Sequence, residues 1–384
     1  MIPYGRQDIR QADLDAVRAV LESDFLTQGP CVPRFEAAVA QHVGASHGVA
    51  VNSATSALHL ACLALGLGPG GLLWTSPITF VATANCARYC GADVDFVDID
   101  PATYNLSPEA LAAKLEAAER AGRLPDVVAP VHLCGQSCDM AAIHALGQRY
   151  GFRILEDASH AIGGTYRGEP VGCGRYSDIT VFSFHPVKII TTGEGGLAVT
   201  REAALAQHME RLRSHGITRD PALMSREPDG PWVYEQLELG YNYRMTELQA
   251  ALGEAQLERL TEYVDRRNDL AERYDGLLAD LPLQRPQQLP EARSARHLYV
   301  IRVRAGSRLR REVFESLREN GIGVNVHYIP VHTQPYYRAL GFRPEQFPAA
   351  MDYYAEAISL PLYPTMTEAQ QDTVVAALDR ALKP

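Results

Sequence analysis

The chain has almost no lysine: of its 384 residues only Lys114, Lys188 and Lys383 carry an ammonium side chain, and the other cationic groups are arginines. Positive charge as a whole is in deficit. Lys plus Arg number 36 against 46 Asp plus Glu, a formal net charge of −10, which argues against a phosphate-backbone binder and removes nucleic acid from the expected partners. No uninterrupted apolar run approaches the ~18 residues of a spanning helix, so no membrane partner is expected. The opening MIPYGRQDIRQADLD is charged from the outset and lacks the apolar core of an export signal, which sets the expectation of a cytoplasmic protein. Seven cysteines, an odd number in a long chain, argue against a disulfide framework and read as buried free thiols. The tightest cluster, His132-Leu-Cys-Gly-Gln-Ser-Cys138, offers one ligand pair where structural zinc usually takes two, and Cys86 and Cys90 sit four apart on an apolar helical stretch. No metal is expected.

What is present is ordinary globular composition, 46% hydrophobic and 21% charged, in a length that suits one large core with a smaller domain attached. Between residues 44 and 200, short apolar runs alternate with helical stretches. Strands are predicted at His47–Asn52, Leu72–Thr75, Asp93–Val97, Val127–Ala129 and Arg153–Glu156, with helices at Ala54–Leu65, Phe80–Tyr89, 107–121 and 140–150. Buried strands separated by helices imply an α/β domain built on a mostly parallel sheet. From Glu247 to Leu281 a single long helical pattern is predicted to bridge two domains. Beyond it, His297–Val303 and Gly323–Val326 read as strands, with helices near 308–319 and from Thr367 onward. The expected organisation is residues 1–245 as an N-terminal segment plus large domain, 246–281 as the connecting helix, and 282–384 as a small α+β domain.

Gly66-Leu-Gly-Pro-Gly-Gly71 satisfies the G-x-G-x-x-G pattern of a dinucleotide loop, but a helix precedes it and a strand follows, the reverse of what a pyrophosphate needs. It reads as a helix end and turn. Asn52-Ser-Ala-Thr-Ser-Ala-Leu58 runs from a strand into a helix start dense in hydroxyls, which suits either plain N-capping or a bound phosphate. Ile154-Leu-Glu-Asp157-Ala-Ser-His160 ends a strand on a carboxylate at the sheet edge where open α/β folds bind ligands; a solvated strand end is the plainer alternative. The strongest signal is Val181-Phe-Ser-Phe-His-Pro-Val-Lys188-Ile-Ile-Thr-Thr-Gly-Glu-Gly-Gly196. A lone lysine between an apolar strand and a glycine-rich turn suits burial, which depresses its pKa and favours the neutral amine that forms Schiff bases.

Together these residues resemble the sugar aminotransferases of the DegT/DnrJ/EryC1/StrS family, pyridoxal phosphate (PLP) enzymes of fold type I. The resemblance runs from Leu26-Thr-Gln-Gly29 to the closing helix through NSATSAL, SPITFVATAN (76–85), DASHAIG (157–163), SFHPVKIITTGEGG, RSHG (213–216), GYNYRMTELQAALG (240–253) and VHYIPV (326–331). Within the family it is most similar to the C-4 aminotransferases of pseudaminic acid biosynthesis. It implies Lys188 as the residue that carries the cofactor and shuttles the proton, Asp157 as partner of the pyridinium nitrogen, Phe80 stacked on the ring and His160 near the phenolic oxygen. Thr55, Ser56 and Ser183 would hold the phosphate, with Asn242 reaching in from a second subunit, so a homodimer with shared sites is implied. The implied substrates are L-glutamate and a UDP-4-keto-6-deoxy sugar, the cofactor cycling through pyridoxamine phosphate (PMP). His185, Arg244, His327 and Tyr328 are candidates for the sugar-nucleotide side, where cations and hydrogen-bonding groups are needed. Three rivals remain: a sugar 3-dehydratase, which would carry His in place of Lys188; an aminotransferase of another nucleotide-linked keto sugar; and a PLP-binding regulatory protein without amine exchange. Residues 225–238 offer no assignable group.

Overall fold

The computed structural model describes residues 1–304 and 307–383. Two helices, α1 (Gln11–Leu21) and α2 (Cys31–Val43), lead into a seven-stranded sheet. Its strands are β1 (His47–Val51), β2 (Leu72–Thr75), β3 (Asp93–Phe96), β4 (Val127–Ala129), β5 (Arg153–Asp157), β8 (Ile179–Ser183) and β9 (Gly196–Thr200), with a small hairpin of β6 (Thr165–Tyr166) and β7 (Glu169–Pro170) inserted after β5. The order across the sheet is β1-β9-β8-β5-β4-β2-β3. The run from β3 to β8 is parallel, while β9 lies antiparallel to both β8 and β1. Every residue of β4, β8 and β9 is buried, the pattern of strands covered on both faces. The return of β9 follows from residues 184–195, which contain no crossover helix and so bring the chain back antiparallel.

The predicted strands and helices of this part lie within a residue or two of those observed. Helix α3 (Ala54–Ala64) ends before Gly66, whose φ of +82° and that of Gly70 at +87° build the turn into β2. The fold therefore places a turn, and no dinucleotide loop, at the glycine cluster. Helices α4 (Val81–Tyr89), α5 (Pro108–Ala121) and α6 (Met140–Tyr150) follow β2, β3 and β4, and α7 (Ala203–Arg213) follows β9. Strands β10 (Ile217–Thr218) and β11 (Glu235–Gln236) close a long hairpin.

The single helix expected over 247–281 is two: α8 (Glu247–Leu257) and α9 (Leu260–Leu277). The break falls at Arg259, whose φ of −104° and ψ of 7° leave the helical region. There its guanidinium meets both carboxylate oxygens of the buried Asp13 at 2.7 Å, and its Nε donates to Tyr263 Oη at 3.0 Å. Both contacts come from Nη2 and tie the break to α1 by a charge-assisted pair.

In the C-terminal part, β12 (Leu283–Gln284), β14 (Tyr299–Val303) and β15 (Ala357–Leu360) form an antiparallel sheet, while β13 (Ala292–Arg293) pairs with β6 of the large sheet's hairpin. Helices α10 (Ser307–Glu319) and α13 (Glu368–Leu382) pack on each other, and α13 begins one residue after the expected start, with Thr367 as its N-cap. The strand expected at Gly323–Val326 is absent as a ladder. Gly323 N–H donates to Ile2 O at 2.6 Å and only Asn325 bridges Ser359, so the segment is shared between the N-terminus and β15. The strand that completes the sheet is β15.

Candidate active site

The parallel strands bring their C-terminal ends to one edge, and the candidate residues collect there. Asp157 is the last residue of β5 and is buried. Its Oδ2 accepts from Thr83 Oγ1 at 2.6 Å, and its Oδ1 accepts from the Ser159 N–H at 3.1 Å and hydroxyl at 2.5 Å. Because side chains alternate along a strand, the preceding Glu156 takes different partners: His132 Nε2 at 2.6 Å, Thr180 Oγ1 at 3.2 Å and Ser177 Oγ. The Cys138 N–H donates to His132 Nδ1 at 3.1 Å, so His132 is occupied on both nitrogens by structural bonds.

Lys188 lies in the turn between β8 and β9, its N–H bonded to His185 O at 2.8 Å. Burial brings its pKa from 10.5 down to about 8, against the opposing pull of the Asp157 charge. The surrounding imidazoles are neutral. Burial, then the Lys188 charge and then His327, hold His160 far below its ordinary value; burial and next the neighbouring His160 do the same to His297. Burial and Lys188 push His327 down to about 3. The His160 and His297 rings lie 4.3 Å apart, and each keeps an Nδ1 without a partner among the described residues. His160 Nε2 meets Tyr328 Oη at 3.1 Å, and His327 Nδ1 meets Ser359 Oγ at 2.7 Å. Tyr328 in turn lies 6.2 Å, ring to ring, from Phe80, an aromatic side chain left 58% exposed at the N-cap of α4.

A second cluster is built on the start of α3. Ser53 caps the helix by accepting from Ser56 N–H at 3.2 Å, and Ser56 Oγ donates to Asn52 Oδ1 at 2.6 Å. Ser183 at the end of β8 pairs with Gly196 at the start of β9. Gly196 touches α3 so closely that a Cβ there would stand 2.4 Å from Ala54 N and 2.5 Å from Ser53 C. Thr55, Ser56 and Ser183 are thus drawn around one helix N-terminus, whose first N–H groups and dipole favour an anion.

The segment that carries Asn242 and Arg244 runs beside this helix start: Asn52 N–H donates to Tyr243 O at 2.8 Å and Val51 bridges Arg244. Asn242 is exposed and Arg244 half-buried, and neither side chain has a partner among the described residues. His185 is exposed and stands 4.0 Å from Glu194. The structure therefore groups Lys188, Asp157, His160, His327 and Tyr328 closely, and leaves His185 at the rim. Thr83, Ser159 and His297 were missed by sequence reasoning. Ser159 carried a signal in its spacing two residues after the strand-end Asp157, and Thr83 lies inside SPITFVATAN, but nothing in Arg-His297-Leu-Tyr marks the histidine.

The donor set fits PLP: an anion cradle, an amine of lowered pKa, a buried carboxylate and a free aromatic face lie along one edge. The family model described as "DegT/DnrJ/EryC1/StrS aminotransferase family" matches residues 7–379. The spore coat polysaccharide biosynthesis protein SpsC of Bacillus subtilis (strain 168) is 42% identical over 388 residues, covering 100% of this chain and 97% of that protein. Among solved structures, Helicobacter pylori PseC, an aminotransferase involved in the biosynthesis of pseudoaminic acid, superposes with a TM-score of 0.90 at 30% identity over 99% of each chain. Spr1654 from Streptococcus pneumoniae, in its PMP form, gives a TM-score of 0.90 at 29% identity over 99% of each chain, and it matches in its PLP form as well. The mostly parallel sheet is that of fold type I. Among the described residues no helix is long and apolar enough to cross a membrane.

Proposed function

The chain belongs to the DegT/DnrJ/EryC1/StrS family of PLP-dependent sugar aminotransferases, and from that premise we propose that it moves an amino group from L-glutamate to C-4 of a UDP-4-keto-6-deoxy-N-acetylhexosamine. The product would be UDP-4-amino-4,6-dideoxy-N-acetyl-β-L-altrosamine. The observation that carries the reading is Lys188, its pKa brought down to about 8, near enough to the buried carboxylate of Asp157 to feel its charge. PLP, when bound, supplies the electron sink for the carbanion formed at the substrate carbon. Lys188 Nζ would attach the cofactor and would serve as the base and acid that takes and returns the proton. Asp157 would hold the proton on the ring nitrogen, Phe80 would cover one ring face and His160 would stand by the phenolic oxygen. Thr55, Ser56 and Ser183, with the α3 N-terminus, hold the phosphate, and the partner subunit's Asn242 completes the cradle in a homodimer. That role suits a side chain that is exposed and without a partner among the described residues.

On the sugar side Arg244 is the cation for the diphosphate. His327, held neutral, serves as a hydrogen-bonding group, and Tyr328 and His185 join it. The 42% identity with SpsC over the whole chain, against 30% with PseC, favours a second reading in which the keto sugar belongs to another polysaccharide precursor. An absorbance experiment separates these. Purified protein with PLP should show a visible band that glutamate bleaches and the UDP-4-keto sugar restores, and Lys188→Ala should show none of it. Bleaching without restoration rejects this sugar and keeps the aminotransferase; a wild type that never forms the band rejects the PLP reading.

A further inference from the structure

We propose that Thr83 is a positioning residue for Asp157: its hydroxyl fixes the carboxylate so that one lone pair of Oδ2 is left for the ring nitrogen. The inference rests on the PLP reading above and adds a residue and an atom to it.

An ionised carboxylate only accepts, at about four lone-pair sites. Ser159 fills Oδ1 twice, through its N–H at 3.1 Å and its hydroxyl at 2.5 Å, and Thr83 fills Oδ2 once at 2.6 Å. The remaining site is on Oδ2, so the atom that Thr83 holds is the atom that must face the nitrogen. The direction of the chain is fixed as well. Thr83 has one hydroxyl proton, and its acceptors, Asp157 Oδ2 at 2.6 Å and the more distant Phe80 carbonyl at 3.3 Å, cannot donate, so in the 2.8 Å contact with Thr79 it must be Thr79 that donates. The order is Thr79 to Thr83 to Asp157, and all three residues are buried. Thr83 also sits one turn along α4 from Phe80 at its N-cap. One rigid turn therefore sets both the exposed ring face and the carboxylate's orientation. A hydroxyl donated to Oδ2 at 2.6 Å holds the carboxylate in the one orientation that leaves a lone pair toward the nitrogen. Without it, the carboxylate is free to turn and the ring nitrogen loses its partner.

The test compares wild type, Thr83→Val, Thr83→Ser and Asp157→Asn by three readouts. These are the dissociation constant of PLP from titration of the cofactor-free protein, the pH midpoint of the visible band of the Lys188-linked cofactor, and kcat against KM for glutamate. A hydrogen bond to a charged group is strong enough that Thr83→Val should weaken PLP binding and lower kcat each by about ten-fold. KM for glutamate should stay within about two-fold, since the substrate is not touched. The band midpoint should rise, because a weaker sink makes the linked nitrogen more basic. Thr83→Ser should restore all three. Ser159→Ala, which removes the hydroxyl bond to Oδ1 and keeps the N–H bond, should move the midpoint in the same direction and serves where the valine variant does not fold. A valine variant with the wild-type dissociation constant and midpoint overturns the proposal and leaves the PLP reading standing. A serine variant as impaired as valine overturns it too, by assigning the effect to packing. A wild type without a PLP-dependent band overturns both.

Discussion

The depressed pKa of Lys188 can be measured directly because the chain holds only two other lysines, Lys114 and Lys383. A fall from 10.5 to about 8 raises the neutral fraction at pH 7 from about 0.03% to about 9%, roughly 300-fold. Burial beside neutral imidazoles causes it, and the Asp157 charge opposes it. The assay is pulse acetylation of the cofactor-free protein over a pH series, with each lysine quantified by mass spectrometry and the exposed Lys383 as internal reference. Lys188 should reach half its maximal rate near pH 8. Asp157→Asn should move that midpoint lower still, since it removes the one charge that holds the ammonium. The linked effect on stability has a definite sign: the folded value lies below the unfolded one, so between about pH 8 and 10.5 the unfolded chain binds more protons at this residue. Lys188 therefore costs the cofactor-free fold up to about 3 kcal/mol below pH 8, less after solvent screening of a half-buried group, and the cost fades as pH rises. A Lys188 midpoint at or above pH 10 would refute the argument, as would an upward movement in Asp157→Asn.

Gly196→Ala should weaken PLP binding about ten-fold or more, because its Cβ would sit 2.4 Å from Ala54 N and 2.5 Å from Ser53 C and overpacking against backbone costs about 1–3 kcal/mol. Cofactor titration checks this, and an unchanged dissociation constant would detach the α3 start from the phosphate. Arg267 is fully buried with Nη1 shared by the carbonyls of Arg296 (3.3 Å), His297 (3.3 Å) and Leu362 (2.9 Å). Arg267→Met should lower stability by about 2 kcal/mol or more through those unpaired carbonyls, read from the urea midpoint; a midpoint that does not fall would show that water or repacking satisfies them.

The alternating pattern made β1 to β5 and the helices between them legible, because each apolar run there is bounded by turn residues and followed by a helical stretch. The same reasoning failed at 323–326 and at Ala357–Leu360. Gly-Val-Asn-Val and Ala-Ile-Ser-Leu are equally short, and only the placing of Tyr299–Val303 beside the latter decides which becomes the third strand. Nor did helical periodicity reveal the break at Arg259, since the cause is Asp13, some 246 residues away in sequence.

At the site, Lys188 and Asp157 stand out as candidates in short words whose residue types suit the chemistry, His160 enters through the family resemblance, and the structure places the three together. Lysine after an apolar strand, carboxylate at a strand end and hydroxyls at a helix start are local facts, written in consecutive residues. Which groups share an atom is not local. Thr83 looks like any threonine in a helix, and His297 like any histidine entering a strand. The sheet order places β5 two strands from β2, whose following helix α4 brings Thr83 to Asp157. The packing of the C-terminal part brings His297 within 4.3 Å of His160 and Tyr328 to its Nε2. The sequence thus determined most of the element types of the large sheet and nominated the central groups. Tertiary packing decided their protonation and their hydrogen-bond partners, because burial and hydrogen bonding depend on neighbours that lie far away along the chain.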